Sequence, residues 1–438
     1  MTVAFDPLVS RRTGAAADEP VLRSRAWDRI FVAGGAWLVP IPILTFYLGR
    51  ALGLSVAACE DLVTVLVMVP LGGPHVFATY TRTFLNPRFR REDRLLFLLA
   101  FAVVALVVGA AVTSAFFDVL LFGSPPIRYV LTFFFFWAGV HIVQQNAYIA
   151  SCYPTRAAPR AHAARRPGRW WGAVDYAVML LALYPASLFR MSMVNVADPT
   201  MQTADPDALA THIVTALGGA EFADEYVFRI GRVAPILPEF LRSSWMWIGV
   251  TVAFAVSVVL FAIKTRRERA AGTLVQGRHR LVFWMAVLGA VVPLFPNLDS
   301  SFQGMNAWHS FQYLGLLWLM NQKSRQRGEI RNRLFDALMA PGHHARFYLA
   351  GLTATLLLLS VVFAAALGIE AASGGEFALF GHSSPRYDAE TGQELYRPGA
   401  VLLAYYMVAF GVLLTHYLHD GVFFFRRRYL VDPGSERT

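Results

Sequence analysis

The run LLFLLAFAVVALVVGAAVTSAFF, residues 95–117, carries no charged or amide side chain. At a rise of about 1.5 Å per residue it is long enough to cross a hydrocarbon core roughly 30 Å thick. A soluble domain has no use for so long a stretch that is apolar on every face. The run therefore reads as a transmembrane helix within the span Leu95 to Phe122.

Working outward, the same reading gives about ten spans. They are Ile30 to Gly53, Val63 to Tyr80, Leu95 to Phe122, Tyr129 to Ala150, Trp171 to Phe189, Trp245 to Ile263, Leu281 to Phe295, Phe302 to Leu319, Phe347 to Ile369 and Ala400 to Phe425. The seventh and eighth are short, because Pro293, Pro296, Asn297 and Asp299 interrupt them, and they read equally as broken or re-entrant helices. The expected fold is an all-α, polytopic membrane bundle. Residues 1–29 form an N-terminal tail, 30–190 hold helices one to five, 191–244 an outer cap, 245–425 helices six to ten with an outer loop at 371–398, and 426–438 a C-terminal tail. The charged first 29 residues lack the apolar core of a cleavable signal peptide.

Composition agrees. The 438 residues are 56% hydrophobic and only 16% charged, with a mean hydropathy of +0.46, against about 25% charged in soluble domains. The net charge of +10 sits in clusters that follow every even-numbered span. These are Arg82, Arg88, Arg90, Arg91 and Arg94; Arg156, Arg160, Arg165, Arg166 and Arg169; Lys264, Arg266, Arg267, Arg269, Arg278 and Arg280; Lys323, Arg325, Arg327, Arg331 and Arg333; and Arg426, Arg427 and Arg428. The intervening loops are acidic or neutral, as in Asp198, Asp205, Asp207, Glu221, Asp224 and Glu225. The positive-inside rule then places both termini in the cytoplasm of a bacterial-type inner membrane. It also explains the basic balance without a nucleic-acid partner. The outer cap contains an amphipathic stretch, Pro206 to Leu217, suited to the membrane surface.

Cys59 and Cys152 are too few for a disulfide framework or a cysteine-rich zinc site. The chain has no P-loop, HExxH or Gly-x-Ser-x-Gly element, which removes ATP-driven pumps and the common hydrolases.

The histidines carry the chemistry. His162, His279, His343 and His344 fall in the basic loops, and His212 and His382 in the outer ones. His75, His141, His309, His416 and His419 fall inside spans. Counted back from the cytoplasmic ends of their helices, these five lie roughly 10–20 Å inside the boundary. They are thus able to meet. Polar residues accompany them at helical spacing: Gln144 and Gln145 after His141, Asn306 and Gln312 around His309, and Asp420 four residues after His416. Gly72, Gly73 and Pro74 precede His75 and free backbone there.

Polar groups in hydrocarbon are costly and mark sites or pathways. The expected site is a metal centre ligated by His75, His141, His309, His416 and His419, with Asp420, Gln145 and Gln312 orienting ligands or O2. An all-imidazole set without thiolate suits non-haem iron, mono- or dinuclear, acting with O2 on a lipophilic substrate. The aromatic run Phe133 to Trp137, with Trp308, Phe311, Tyr313, Tyr405 and Tyr406, is a candidate lining for an apolar channel. A haem- or quinone-linked redox protein, a proton-coupled transporter, and plain interhelical hydrogen bonding stay open. An electron donor is not identifiable.

The stretch Leu71-Gly72-Gly73-Pro74-His75 resembles the Gly-x-Pro-His element of the bacterial Brp/Blh family of carotene-cleaving dioxygenases. Those are polytopic proteins with single histidines scattered over several helices. The resemblance implies iron(II), O2 and cleavage of a polyene into aldehydes, with His75 as an iron ligand. After His75 this chain continues Val76-Phe77-Ala78-Thr79. The histidine boxes of membrane desaturases and alkane hydroxylases are absent; His416-Tyr417-Leu418-His419-Asp420 is the nearest approach.

Overall fold

A computed structural model describes residues 22–117, 119–122, 124–153, 169–193, 208–219, 226, 239–326, 328, 333–380, 386–387, 394–395 and 398–425. Among them, eight helices are long and apolar enough to cross a membrane: α1 Arg25–Ala51, α2 Val56–Arg82, α3 Arg94–Phe116, α4 Pro126–Cys152, α5 Gly172–Ser192, α6 Ser244–Ala270, α9 His344–Ala372 and α10 Ala400–Gly421. Between α6 and α9 lie α7 Gln276–Val291 and α8 Leu298–Gln326. The architecture is helical, with one two-residue antiparallel ladder between Arg386–Tyr387 and Glu394–Leu395. The protein is thereby a membrane-embedded helical bundle.

The helices differ from the expected spans at their ends. Helix α6 runs past Ile263 to Ala270, since Lys and Arg continue a helix readily where it leaves hydrocarbon. Helix α3 stops at Phe116, short of Phe122, which has a positive φ of 49°. The seventh and eighth expected spans are helical but fall outside the eight. Helix α7 has only 16 residues, and α8, although 29 residues long, carries Gln303, Asn306, His309 and Gln312 through its middle. The expected amphipathic stretch is a helix over Ala208–Leu217. The basic cluster 156–166, His162, His382, the acidic residues of the outer cap, Arg327, Arg331 and Arg426 to Arg428 lie outside the described residues.

The chain divides into two compact units, one of Met1–Val67, Gly139–Gln312 and Val431–Thr438, the other of Met68–Ala138 and Tyr313–Leu430. In the first, α5 packs on both α6 and α7. Asp175 ties the three together. Its carboxylate accepts from Lys264 Nζ at 2.8 Å and from Arg278 Nε at 2.7 Å, and Lys264 also meets Glu268 one turn on at 3.2 Å. Asp175 and Lys264 are buried, so each charge is tolerated only through its partners.

The break between α7 and α8 is held from α5. The Arg190 guanidinium donates to the carbonyls of Pro293 at 3.1 Å, Phe295 at 2.5 Å and Pro296 at 2.7 Å. The planar fork of donors on a guanidinium can serve three carbonyls at once. Asn297 then caps α8, its Oδ1 accepting from the Ser300 N–H at 2.8 Å, while its Nδ2 donates to Glu60 at 2.7 Å.

Helix α1 is irregular, with a π-helical turn at Asp28–Ala33 followed by a 3₁₀ stretch at Gly34–Leu38. The Val32 carbonyl accepts from Trp308 Nε1 at 3.3 Å and from Gln312 Nε2 at 3.1 Å. Close approach of α1 and α8 depends on Gly304, where a Cβ would lie 2.3 Å from the Val39 carbonyl oxygen.

In the second unit, α9 packs on α2 and α10, and α10 packs on α3. Helix α2 contains a π-helical turn at Met68–Gly72. Pro74 has no N–H to give the carbonyl of Pro70, four residues back. The Tyr348 hydroxyl takes that place at 3.0 Å. Gly73 lets α9 reach the same point, because a Cβ there would lie 2.1 Å from Thr355 Oγ1. A second π-helical turn, Tyr406–Phe410, interrupts α10 before Gly411. Such turns shift the facing of the residues that follow, here His75 and His416, and are frequent at functional sites.

Candidate metal centre

His75, three residues beyond the α2 turn, and His416, six beyond the α10 turn, are both buried. Their Nε2 atoms approach to 2.7 Å, with the rings nearly perpendicular at 80° and centroids 4.4 Å apart. The other nitrogen of His416 is fixed from α2: Nδ1 lies 2.7 Å from Thr79 Oγ1. Thr79 Oγ1 donates to Asp420 Oδ1 at 3.1 Å, and the Tyr313 hydroxyl donates to the same oxygen at 2.5 Å. The two hydroxyl oxygens are themselves 2.6 Å apart. With both hydroxyl protons directed to Asp420, Thr79 Oγ1 keeps its lone pairs for an Nδ1–H of His416. The Nε2 of His416 then presents a lone pair toward His75.

Tyr313 also orients His75. The phenol and imidazole rings stack at 4.2 Å with a 6° angle between planes. Four residues separate Tyr313 from His309 on α8, so both project from one helix face about one turn apart.

His309 has its own partner. Its ring meets that of His141 edge-on, with centroids 4.8 Å apart at 75°. Gln145, one turn after His141 on α4, donates through Nε2 to the His309 carbonyl at 3.0 Å and faces Gln312 Oε1 at 3.4 Å. Gln312 passes the contact on to the Val32 carbonyl. Gln145 and Gln312 thus secure α4, α8 and α1 around the His141 and His309 pair.

His75, His141, His309 and His416 are buried histidines that could serve as metal ligands; His75 pairs with His416 in the second unit and His141 with His309 in the first. These are four of the five histidines expected from sequence. His419 lies apart from its neighbour His416. Three residues after His416 is 300° around the helix, which turns its ring away by 60°. It sits instead among Phe84, Phe89 and Tyr80, with centroids 5.5, 5.2 and 6.3 Å away. Asp420 falls on the His416 side, its Oδ2 3.6 Å from His416 Nδ1. Asn306 bonds within its own helix, to Gln303 at 3.3 Å.

Thr79 and Tyr313 were not expected to take part as hydrogen-bonding groups. Thr79 does stand four residues after His75, the spacing that singled out Gln145 and Asp420. Tyr313 stands four after His309, and read as an aromatic it suggested only apolar lining.

The 2.7 Å between the Nε2 atoms of His75 and His416 is a direct hydrogen-bonding distance, and the donors are imidazoles without a thiolate, a type suited to a metal ion. No family model, curated protein or solved structure matches the chain, so the centre is read from its own residues.

Proposed function

We propose that His75, His141, His309 and His416 are the iron ligands of a mono- or dinuclear non-haem centre, and that the protein is a membrane-embedded non-haem iron oxygenase. Its substrate would be lipophilic, of lipid or polyene type, oxidised with O2. The observation that carries the reading is the buried all-histidine set, in which the Nε2 atoms of His75 and His416 converge at 2.7 Å while the Nδ1 of His416 is engaged by Thr79. Fixing the outer nitrogen of a ligating histidine is how proteins set tautomer and ring orientation.

Imidazole ligands without thiolate suit iron, and bound iron would supply the O2 chemistry. The chain supplies the rest: helices α2, α4, α8 and α10 bring the ligands, Asp420 and the two hydroxyls hold His416, and the hydrocarbon environment delivers an apolar substrate. The Gly-Gly-Pro-His element around His75 supports a polyene as the substrate class by its resemblance to the Brp/Blh dioxygenases. The basic loops support a cytoplasmic location for both termini, in a bacterial-type inner membrane.

One contact favours a second reading. A direct imidazole–imidazole bond followed by Thr79 and Asp420 is also a chain along which a proton can move, as in a proton-coupled transporter. Metal analysis separates the two. Protein purified in detergent without chelators should hold iron, and His141→Ala and His416→Ala should each lose some or all of it. Metal-free wild type would overturn the oxygenase; loss of only part of the iron in each variant would mean separate ions at the two histidine pairs.

A further inference from the structure

Tyr313 is the group in this neighbourhood that the ligand set leaves unused. It is 1% exposed and lies face-on against the His75 imidazole at 4.2 Å. Its hydroxyl is 2.5 Å from a carboxylate oxygen of Asp420 and 2.6 Å from Thr79 Oγ1. The hydroxyl donates its hydrogen bond to that carboxylate oxygen. A phenol gives up an electron readily only if its proton has somewhere to go, since the oxidised phenol is a very strong acid. Asp420 Oδ1, which accepts the hydrogen bond of the Tyr313 hydroxyl, is that destination. The electron has an equally short path, from the phenol ring through the stacked imidazole of His75.

We infer that Tyr313 is a redox-active residue that delivers one electron to the metal centre while its proton passes to Asp420. The inference rests on the metal reading above. The Tyr313 O–H bond breaks, and a new O–H bond forms on Asp420. The electron reduces the metal ion by one unit, and a neutral phenoxyl radical stays on Tyr313. The oxidant is the histidine-bound transition-metal ion after its own oxidation by O2 or peroxide. Return of one electron and the Asp420 proton restores the phenol. An oxygenase gains from this a second one-electron donor beside its metal, on a buried side chain.

The geometry assigns this role to Tyr313 and not to its aromatic neighbours. Tyr80 donates to a backbone carbonyl, that of Val412, at 2.6 Å, and an amide oxygen is too weak a base to retain the proton. Tyr417 stacks on Phe134 and meets the His416 ring only at a 52° tilt with centroids 5.4 Å apart, against the 4.2 Å parallel stack of Tyr313 on His75.

The test is electron paramagnetic resonance of the iron-loaded protein in detergent, frozen rapidly after mixing with hydrogen peroxide, with iron content measured on the same samples. Wild type should give a tyrosyl radical signal that narrows when the protein is grown on ring-deuterated tyrosine. Tyr313→Phe, loaded with excess iron to wild-type content because the Tyr313 hydroxyl helps to hold His416, should lose the signal at equal bound iron, and Asp420→Asn should lower the yield per bound iron severalfold. An undiminished signal in Tyr313→Phe, or an iron-loaded wild type with no tyrosyl signal, overturns the inference and leaves the metal reading standing. Wild type without iron removes both.

Discussion

The Nδ1 atom of His416 lies 2.7 Å from the hydroxyl oxygen of Thr79, a residue 337 positions away in sequence that is itself fully buried. With the Thr79 and Tyr313 hydroxyls donating to Asp420, this contact suits an Nδ1–H on His416 and leaves Nε2 facing His75. A threonine hydroxyl can therefore control the ligand quality of a histidine on another helix.

Thr79→Val keeps the shape and removes that hydroxyl. Iron affinity should fall by about 10–100-fold, the usual cost of losing the partner of a ligating histidine, and Thr79→Ser should restore most of it. A competitive chelator titration reads the change. Unaltered affinity in Thr79→Val would show that His416 does not depend on this bond.

His419→Ala should retain its iron. Its ring packs among Phe84, Phe89 and Tyr80, so the loss is one of packing, and thermal stability should drop while the metal-to-protein ratio holds. Iron loss equal to that of His416→Ala would place His419 among the ligands after all.

Arg190→Met should destabilise the protein by about 3 kcal/mol or more, because three carbonyls of the α7–α8 break lose their donor and each buried unsatisfied group costs about 1–3 kcal/mol. Lysine should rescue poorly, since a single ammonium lacks the planar fork that reaches Pro293, Phe295 and Pro296 together. Thermal unfolding in detergent, followed by circular dichroism, would show the ranking.

Gly73→Ala drives a methyl group into Thr355, and overpacking of this kind costs about 1–3 kcal/mol. Combining it with Thr355→Gly should recover part of the loss, a coupling that a double-mutant cycle measures. Strict additivity of the two substitutions would mean that α2 and α9 do not meet as tightly as described.

His279 gives a pH dependence. It stacks on Phe261 with a 9° angle between planes, and burial, with Lys264 and Arg269 nearby, pushes its pKa below the ordinary value. A histidine whose folded pKa is lowered binds its proton more weakly folded than unfolded, so stability is lost as pH falls below the unfolded pKa of about 6.5. Melting temperatures compared at neutral and mildly acidic pH should fall further for wild type than for His279→Gln. Equal acid sensitivity in both would assign the effect to other groups.

The sequence by itself determined that this chain is a helical membrane protein, and which histidines are buried in it. Hydropathy is a local property: the run 95–117 cannot be anything but a membrane-scale helix, whatever surrounds it. Depth is nearly local too, because helix rise is constant, and that placed His75, His141, His309 and His416 in the interior. Tertiary structure decided the rest, since periodicity fixes only relative angles on one helix and not which neighbour each face meets. The rotation of α10 after its π-helical turn sent His416 toward His75 and Thr79 and His419 into an aromatic nest. The meeting of Tyr313 with Asp420, and of Arg190 with the carbonyls of Pro293, Phe295 and Pro296, joins residues about a hundred positions apart. Hydrogen-bond partners at such separations are chosen by packing, which no single segment encodes.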